Sequence, residues 1–205
     1  MTLDRRDFIL AVAAMSAVVL ASNILVQYPV GSGALANYLT WGAFSYPFAF
    51  LVTDLSNRRF GPPGARRVVY AGFVLAIVLS AYFATPRIAI ASGSAFLAAQ
   101  LLDIRIFARL RDRAWWLPPF ASSVVSSALD TAIFFSLAFF CGDLPGLGLT
   151  ISETLGALGI ADRCVSLPWV NLALADYGVK LALAIVSIAP YGVILQVIRR
   201  EAQAA

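Results

Sequence analysis

The stretch LTWGAFSYPFAFLVTDLSNRRFGPPGARR, residues 39–67, joins an apolar run to a group of arginines. The apolar run, about Tyr38 to Leu55, is long enough to cross the hydrocarbon core of a bilayer as a helix. Helices are the only open-ended structures that satisfy their own backbone hydrogen bonds in lipid. Basic residues collect on the cytoplasmic side of such helices, so this end is predicted to face the cytoplasm, at Arg58, Arg59, Arg66 and Arg67.

Similar apolar runs recur along the whole chain. They predict helices at about 8–28, 38–56, 68–85, 87–107, 117–141 and 169–198. With 60% hydrophobic and 13% charged residues and a mean hydropathy of +0.83, the 205 residues carry too little polar surface for a soluble globule. The sequence therefore predicts an all-α membrane protein, a single transmembrane domain spanning 1–205 and built as a bundle of six helices.

The orientation of the bundle is predicted from its basic residues. Twelve of the 15 fall on one side of the six predicted helices, and only Arg87 and Arg163 lie in the opposite connections, with Lys180 inside the last helix. The positive-inside rule then places both chain ends in the cytoplasm. Tryptophans stand at the predicted membrane boundaries, as an aromatic belt requires, at positions 115, 116 and 169.

Several function classes find little support. Basic residues are scattered between apolar runs, so no nucleic-acid partner is expected. Histidine is absent and the two cysteines lack metal-ligand spacing, so neither a metal nor a cofactor is expected; a disulfide between Cys141 and Cys164 stays open. No G-x-x-x-x-G-K-[ST] motif for ATP appears. The aspartates lack the sequence setting of an intramembrane aspartyl protease, and no enzyme is expected.

Polar residues inside the predicted helices are the candidates for function, because a polar group at membrane depth needs a partner, a cavity or a ligand. Asn23 and Gln27 are four residues apart and share one face of the first helix. They either contact a ligand or hold that helix to a neighbour by hydrogen bonds. Gln100 lies within the fourth helix. The connection 143–168 is too polar to cross, although Ser152 to Leu158 could form an interfacial helix.

Four acidic residues and one lysine carry the strongest signal. Asp54 and Asp103 each stand within a turn of the cytoplasmic boundary, where an ion pair with Arg58 or Arg105 would be a purely structural explanation. Asp130 stands in the middle of an apolar helix with no basic residue nearby on that helix, so a partner or ligand must compensate it. Lys180 is a candidate partner for Asp130, and Asp176 is spaced i,i+4 from this lysine in the order that favours an ion pair.

Small and aromatic residues add weaker signals. Pro47 opens the hydrogen-bond ladder of the second helix among several aromatic side chains, which marks either a binding site or a kink. Alanine stripes at 13, 17 and 21 and at 91, 95 and 99 predict close helix packing, inside the bundle or in a homodimer.

Five segments together resemble the YhhQ-type queuosine precursor transporter family, also called the VUT family. They cover nearly the whole chain in the family's order, and the run from Thr40 to Gly61 and the stretch Q-x-x-D-x-x-x-F-x-R-L at 100–110 are the most specific parts. The segments are SNILVQYPV (22–30), LTWGAFSYPFAFLVTDLSNRRFG (39–61), RIAIASGSAFLAAQLLDIRIFARLR (87–111), WWLPPFASSVVSSALDTAIFF (115–135) and ADYGVKLALAIVSIAPYGVIL (175–195).

The resemblance implies a multi-pass importer in the bacterial cytoplasmic (inner) membrane. Its expected substrates are 7-cyano-7-deazaguanine and 7-aminomethyl-7-deazaguanine, bases salvaged for the tRNA nucleoside queuosine, moved by a secondary transporter. Since a carboxylate can accept both N–H groups of a guanine-like edge, the expected base-reading acid is Asp130 or Asp54. The expected edge readers are Asn23, Gln27 and Gln100, the expected stacking partner is Tyr46 or Phe48, and Asp103 and Lys180 complete the candidate site.

One alternative function stays open from the sequence. The chain could be the substrate-binding subunit of a multi-component vitamin or nucleobase importer, which needs separate ATPase subunits. The alanine stripe of the first helix could dock a coupling helix of such a partner.

Overall fold

The computed structural model describes residues 5–32, 39–139 and 169–204, and the regular elements in this part of the chain are all helices. Its helices are α1 (Arg5–Leu25), α2 (Gly42–Ser45), α3 (Phe48–Phe83), α4 (Pro86–Leu110), α5 (Leu117–Phe139) and α6 (Trp169–Ala204). Pairing of the β type within these ranges is limited to one isolated bridge between Pro29 and Thr40. The predictions for Cys141, Cys164 and the 143–168 connection lie outside the described residues.

Five of the helical segments within the described ranges are long and apolar enough to cross a membrane. They are 5–25, 42–83, 86–110, 117–139 and 170–198, and the second, which unites α2 and α3, is 42 residues long. At 1.5 Å per residue, a straight helix of that length would measure about 60 Å, twice a bilayer core. The α-helical membrane class predicted from the sequence is confirmed at this level.

Helix α3 contains a break at Gly61. This residue has φ 72° and ψ 178°, a backbone conformation that glycine adopts readily and that would strain a residue with a Cβ atom. Pro62 and Pro63 follow and have no backbone N–H to continue the helical ladder. The sequence predicts a loop over this region, between helices ending near 56 and starting near 68; the structure has helix on both sides of a single break.

Contacts with α1 show that the chain reverses at this break. Before it, the Ser45 hydroxyl lies 3.0 Å from that of Ser22 near the end of α1, and Arg59 lies 2.6 Å from Asp7 near its start. The first half of α3 therefore runs antiparallel to α1.

After the break the chain runs back along the same helix. Gly72 packs against Met15 so closely that an added Cβ would come within 2.5 Å of the methionine side chain, and the Ser80 hydroxyl donates to Asn23 Oδ1 at 3.1 Å. The second half of α3 is thus parallel to α1.

The remaining helices complete the bundle. Thr85 caps α4 through its side-chain oxygen and Pro86 occupies the first helical position, where its missing N–H costs nothing. Helix α4 packs against α3 and α5, and α5 packs against α6. The alanine stripe of α4 is buried, whereas Ala13 and Ala17 of the α1 stripe are exposed. Close packing inside the bundle thus explains the stripe of α4 and leaves that of α1 without a partner among the described residues.

Candidate functional site

A network of charged and polar side chains joins α5 and α6 to Tyr46, which lies between α2 and α3. Lys180 of α6 donates to Asp130 Oδ2 of α5 at 2.7 Å and to Asp176 Oδ2 of its own helix at 2.5 Å. Lys180 also donates to Thr131 Oγ1 at 3.0 Å, while Thr131 donates to Asp176 at 2.8 Å. The Tyr46 hydroxyl, between α2 and α3, donates to Asp130 Oδ1 at 2.9 Å. These five residues are called the charged cluster below.

Every member of the charged cluster has a partner. Asp130 is 3% exposed and Lys180, the only lysine of the chain, is 4% exposed. Burying one ion alone is costly, and the cost is offset only when close partners complete its hydrogen bonds. Each oxygen of Asp130 accepts one bond, from Tyr46 and from Lys180 respectively. The i,i+4 spacing of Asp176 and Lys180 and the suggested pairing of Asp130 with Lys180 are both present in the structure.

A second acidic site lies nearer the arginine-rich end of the bundle. Asp54 of α3 and Asp103 of α4 are 1% and 0% exposed, and they lie between two side-chain contacts that join these helices, Thr53 with Gln100 and Asn57 with the Ile104 carbonyl. From α5, the Ser122 hydroxyl donates to Asp54 Oδ1 at 3.1 Å and that of Ser123 lies 3.5 Å from Asp54 Oδ2. Asp54 and Asp103 are called the carboxyl pair below.

The expected ion pairs between the carboxyl pair and nearby arginines are not found among the described residues. Arg58 instead donates to the carbonyl oxygen of Arg111 at 2.9 Å, and Arg111 donates to that of Arg58 at 2.6 Å. This reciprocal contact fastens the end of the first half of α3 to the end of α4. The two arginine side chains thus bind backbone carbonyl groups near the Gly61 break. Asp54 and Asp103 are buried in the bundle interior instead.

Buried polar atoms without a hydrogen-bond partner in the described part of the chain collect around the carboxyl pair. They include both oxygens of Asp103, and Gln100 Nε2 one turn earlier on α4. Gln100 Oε1 accepts from Thr53, the neighbour of Asp54, at 2.5 Å, which holds the amide beside the pair. Buried polar groups are normally satisfied, so such a group of exceptions requires an explanation. Asn57 Oδ1 and Ser126 Oγ belong to the same set.

A cleft between the first half of α3, α5 and α6 connects the two sites. Asp54 and Lys180 both line it, together with apolar Phe50. Its further polar lining is serine, at Ser123, Ser127 and Ser187. The space inside is tight, with room for about one water molecule. A ring-shaped ligand would enter only after these helices move apart.

The structure gathers some of the candidate residues and separates others. Asp54 and Lys180 line the cleft, and Asp130 and Tyr46 are joined to it through the hydrogen bonds from Lys180 to Asp130 and from Tyr46 to Asp130. Gln100 and Asp103 lie on the neighbouring helix α4, next to Asp54 of α3.

Three candidates lie elsewhere in the bundle. The Asn23 side chain bonds the Val19 carbonyl at 2.9 Å and accepts from Ser80, an interhelical contact. Gln27 is exposed and donates to the Asn23 carbonyl at 3.3 Å. Phe48 is 39% exposed and is not among the residues that line the cleft.

Residues that the sequence did not single out as candidates complete the site. Phe50 lines the cleft and packs edge to face on Tyr46 with ring centroids 6.4 Å apart. Ser122 and Ser123 bind Asp54. Serines are common in transmembrane helices, so only their clustering in PPFASSVVSS, residues 118–127, could have drawn attention to them. No group of three or more metal-ligating side chains is found within the described ranges.

Comparison with known proteins adds a family to this geometry. Residues 40–85 and 81–194 match the family model described as "Putative vitamin uptake transporter". The chain is 36% identical to the "Queuosine precursor transporter" of Escherichia coli (strain K12), over 90% of this chain and 84% of that protein. The chain belongs to this transporter family. The queuosine precursor transporter family is a class of multi-pass membrane transporters, and transport is not an enzymatic activity.

Two further relatives carry related names. The "Probable queuosine precursor transporter" of Haemophilus influenzae is 33% identical over 91% of this chain and 85% of its own length. The protein of the same name from Bacillus subtilis is 27% identical over 74% of this chain and 69% of its own. No solved structure matches the chain. Membership of the queuosine precursor transporter family agrees with the family suggested by the sequence motifs.

Proposed function

We propose that this protein imports the queuosine precursors 7-cyano-7-deazaguanine and 7-aminomethyl-7-deazaguanine across the bacterial cytoplasmic membrane. The relatives named as queuosine precursor transporters support the substrate class. The observation that carries the proposal is the buried cleft, which is lined by Asp54 of the carboxyl pair and by Lys180 of the charged cluster. A polar cleft at membrane depth is costly unless it serves a polar ligand.

The proposed topology has six crossings with both ends in the cytoplasm. The reversal at Gly61 supports it, because it divides the 42-residue segment into two rods of bilayer length. Arginines on both sides of that reversal, together with those following α4, support a cytoplasmic location for this end of the bundle. Fusing a reporter at the Gly61 turn and another within residues 143–168 tests this topology; both reporting one compartment would contradict it.

Asp54 is the proposed base-reading acid. A guanine-like edge presents a ring N–H and an exocyclic amine side by side, and one carboxylate can accept both. Asp130 is less suited, because Tyr46 and Lys180 already occupy its two oxygens. Asp54 faces the cleft and is held by weaker serine contacts of 3.1 and 3.5 Å.

The faces of the base need apolar or aromatic contacts. Phe50 lines the cleft and Tyr46 packs against it, so this aromatic pair is the proposed stacking surface. Gln100, one turn from Asp103, has a free amide donor and is the proposed partner for the carbonyl of the base. Entry of the base would separate α3 from α5 and α6 at the cleft.

Uptake by this chain alone tests the proposed function. Cells that lack any transporter for these bases would express the protein and receive labelled 7-cyano-7-deazaguanine. We expect uptake without any added ATPase subunit, and a loss of about 5- to 150-fold in Asp54→Asn, since a good base contact is worth about 1–3 kcal/mol. Asp112→Asn, the same change at an exposed acid, is the matched control.

Two results would count against a self-sufficient importer. Uptake that appears only when ATPase subunits are co-expressed would favour the multi-component alternative. If excess unlabelled precursor does not reduce the uptake of the labelled base, the proposal that deazaguanine bases are the substrates is contradicted.

A further inference from the structure

The carboxyl pair has a chemistry that the charged cluster lacks. An ionised carboxylate only accepts hydrogen bonds, so two carboxyl groups can bond each other only when one carries a proton. Asp54 and Asp103 are almost fully buried, and the contacts Thr53–Gln100 and Asn57–Ile104, which lie on either side of them, bring α3 and α4 together at their level. Two ionised groups would repel each other there, and a proton shared between them removes the repulsion. This arrangement therefore fits a pair that holds one proton.

No cation among the described residues neutralises the pair instead. Along α3, Arg58 is directed to the Arg111 carbonyl, and Arg105 of α4 is exposed. Helix α5 presents only the hydroxyls of Ser122 and Ser123. From α6, Lys180 lines the same cleft as Asp54, but it is held by both acids of the charged cluster.

A second observation points to an exchangeable species at this place. Gln100 Nε2 is a fully buried donor without an acceptor in the described structure, and its other amide atom is fixed by Thr53, next to Asp54. Asp103 has two oxygens without a donor. The cleft reaches Asp54 and leaves room for about one water molecule. A proton can thus reach the pair through the space that the base is proposed to use.

We propose that the carboxyl pair carries one proton during each transport cycle, so that the precursor base enters the cell together with a proton. This inference rests on the proposed function. With one proton on the pair, Asp54 keeps lone pairs for the two N–H groups of the base, and the charge of the pair is −1. With no proton, two charges repel in the same buried space; with two, Asp54 offers fewer acceptors.

The cycle follows from that single proton. The pair takes up the proton from the outer solution before the base binds to Asp54, and the proton leaves to the cytoplasm after the base has left. The only covalent bond that forms is the O–H bond of one carboxyl group, it breaks again on release of the proton, and one proton crosses with each base. A higher proton concentration outside therefore drives accumulation of the base inside.

Proteoliposomes of the purified protein test the coupling. Labelled 7-cyano-7-deazaguanine uptake is measured with the interior one pH unit above the exterior and the membrane potential clamped at zero. For one proton per base, we expect wild-type protein to concentrate the base up to about tenfold. In Asp103→Asn we expect no accumulation above equilibrium, and base exchange that no longer varies with pH. Asp112→Asn, an exposed carboxylate with the same change, should accumulate like wild type.

Each other outcome has a defined meaning. Wild-type uptake that stops at equilibrium under the gradient overturns the proton inference and leaves the proposed function intact. Accumulation by Asp103→Asn equal to wild type overturns the assignment to the carboxyl pair. Wild-type protein that moves no precursor overturns the proposed function and the inference with it. Should Asp103→Asn fail to fold, Asp103→Glu replaces it, and we expect that variant to regain pH-dependent exchange.

Discussion

The two buried acidic sites of this bundle differ in how completely their atoms are paired. In the charged cluster, Lys180 lies between Asp130 and Asp176, and each of the three has a partner within 3 Å. In the carboxyl pair, Asp103 has no donor for either oxygen among the described residues. A fully satisfied network stabilises one arrangement, whereas a partly satisfied one retains the capacity to bind something. From this difference we infer that the charged cluster mainly stabilises the fold, whereas the carboxyl pair binds and releases a proton.

The largest expected effect is on the charged cluster. Lys180→Met leaves buried Asp130 and partly buried Asp176 without their counter-ion, and breaking a buried ion pair in this way costs about 3–5 kcal/mol. We expect a strong fall in the melting temperature of the detergent-purified protein, partly restored by combining Lys180→Met with Asp130→Asn. Arg105→Met removes an exposed cation and should change little. An unchanged melting temperature in Lys180→Met would contradict the proposal that the charged cluster stabilises the fold.

An intermediate effect is expected from the serines of α5. Ser122→Ala removes a donor to Asp54, and a hydrogen bond to a charged group contributes about 1.5–3 kcal/mol. Ser126, one turn further, is equally buried but has no partner among the described residues, so Ser126→Ala should be neutral or stabilising. Thermal melting of the two variants side by side compares the same chemical change at a paired and an unpaired hydroxyl. Equal losses would show that the hydroxyl contact with Asp54 contributes nothing.

The smallest effect on stability is expected at the carboxyl pair itself. In Asp103→Asn the amide can donate to Asp54 as the shared proton would, so the free energy of unfolding should change by less than about 1 kcal/mol. Its transport behaviour should change far more than its melting temperature. A loss of stability as large as that of Lys180→Met would mean that both sites are architectural, and the distinction between them would be lost.

Parts of this site followed from local sequence. Asp176 and Lys180 are spaced to pair on one helix, and Asp130 in its apolar surroundings required a partner. The partners of Asp54 were misjudged, because Arg58 is close in sequence while Ser122 is 68 residues away. Phe48 and Phe50 could not be told apart as aromatic neighbours of Pro47, although only Phe50 lines the cleft. Helices that are apolar all round give no pattern that says which face turns inward.

The sequence by itself determined the membrane class, the approximate positions of the apolar segments and the collection of arginines at alternate connections. These properties depend on composition and on order along the chain, which the bilayer reads locally. Only the tertiary structure decided that Asp54 meets Asp103 and Ser122, and that Lys180 meets Asp130. Such contacts depend on the rotation and depth of each helix against its neighbours, which packing fixes and hydropathy does not. The break at Gly61 is a further example. One glycine and two prolines in the sequence predict that the helix is interrupted, and only the contacts with α1 show that the chain reverses there.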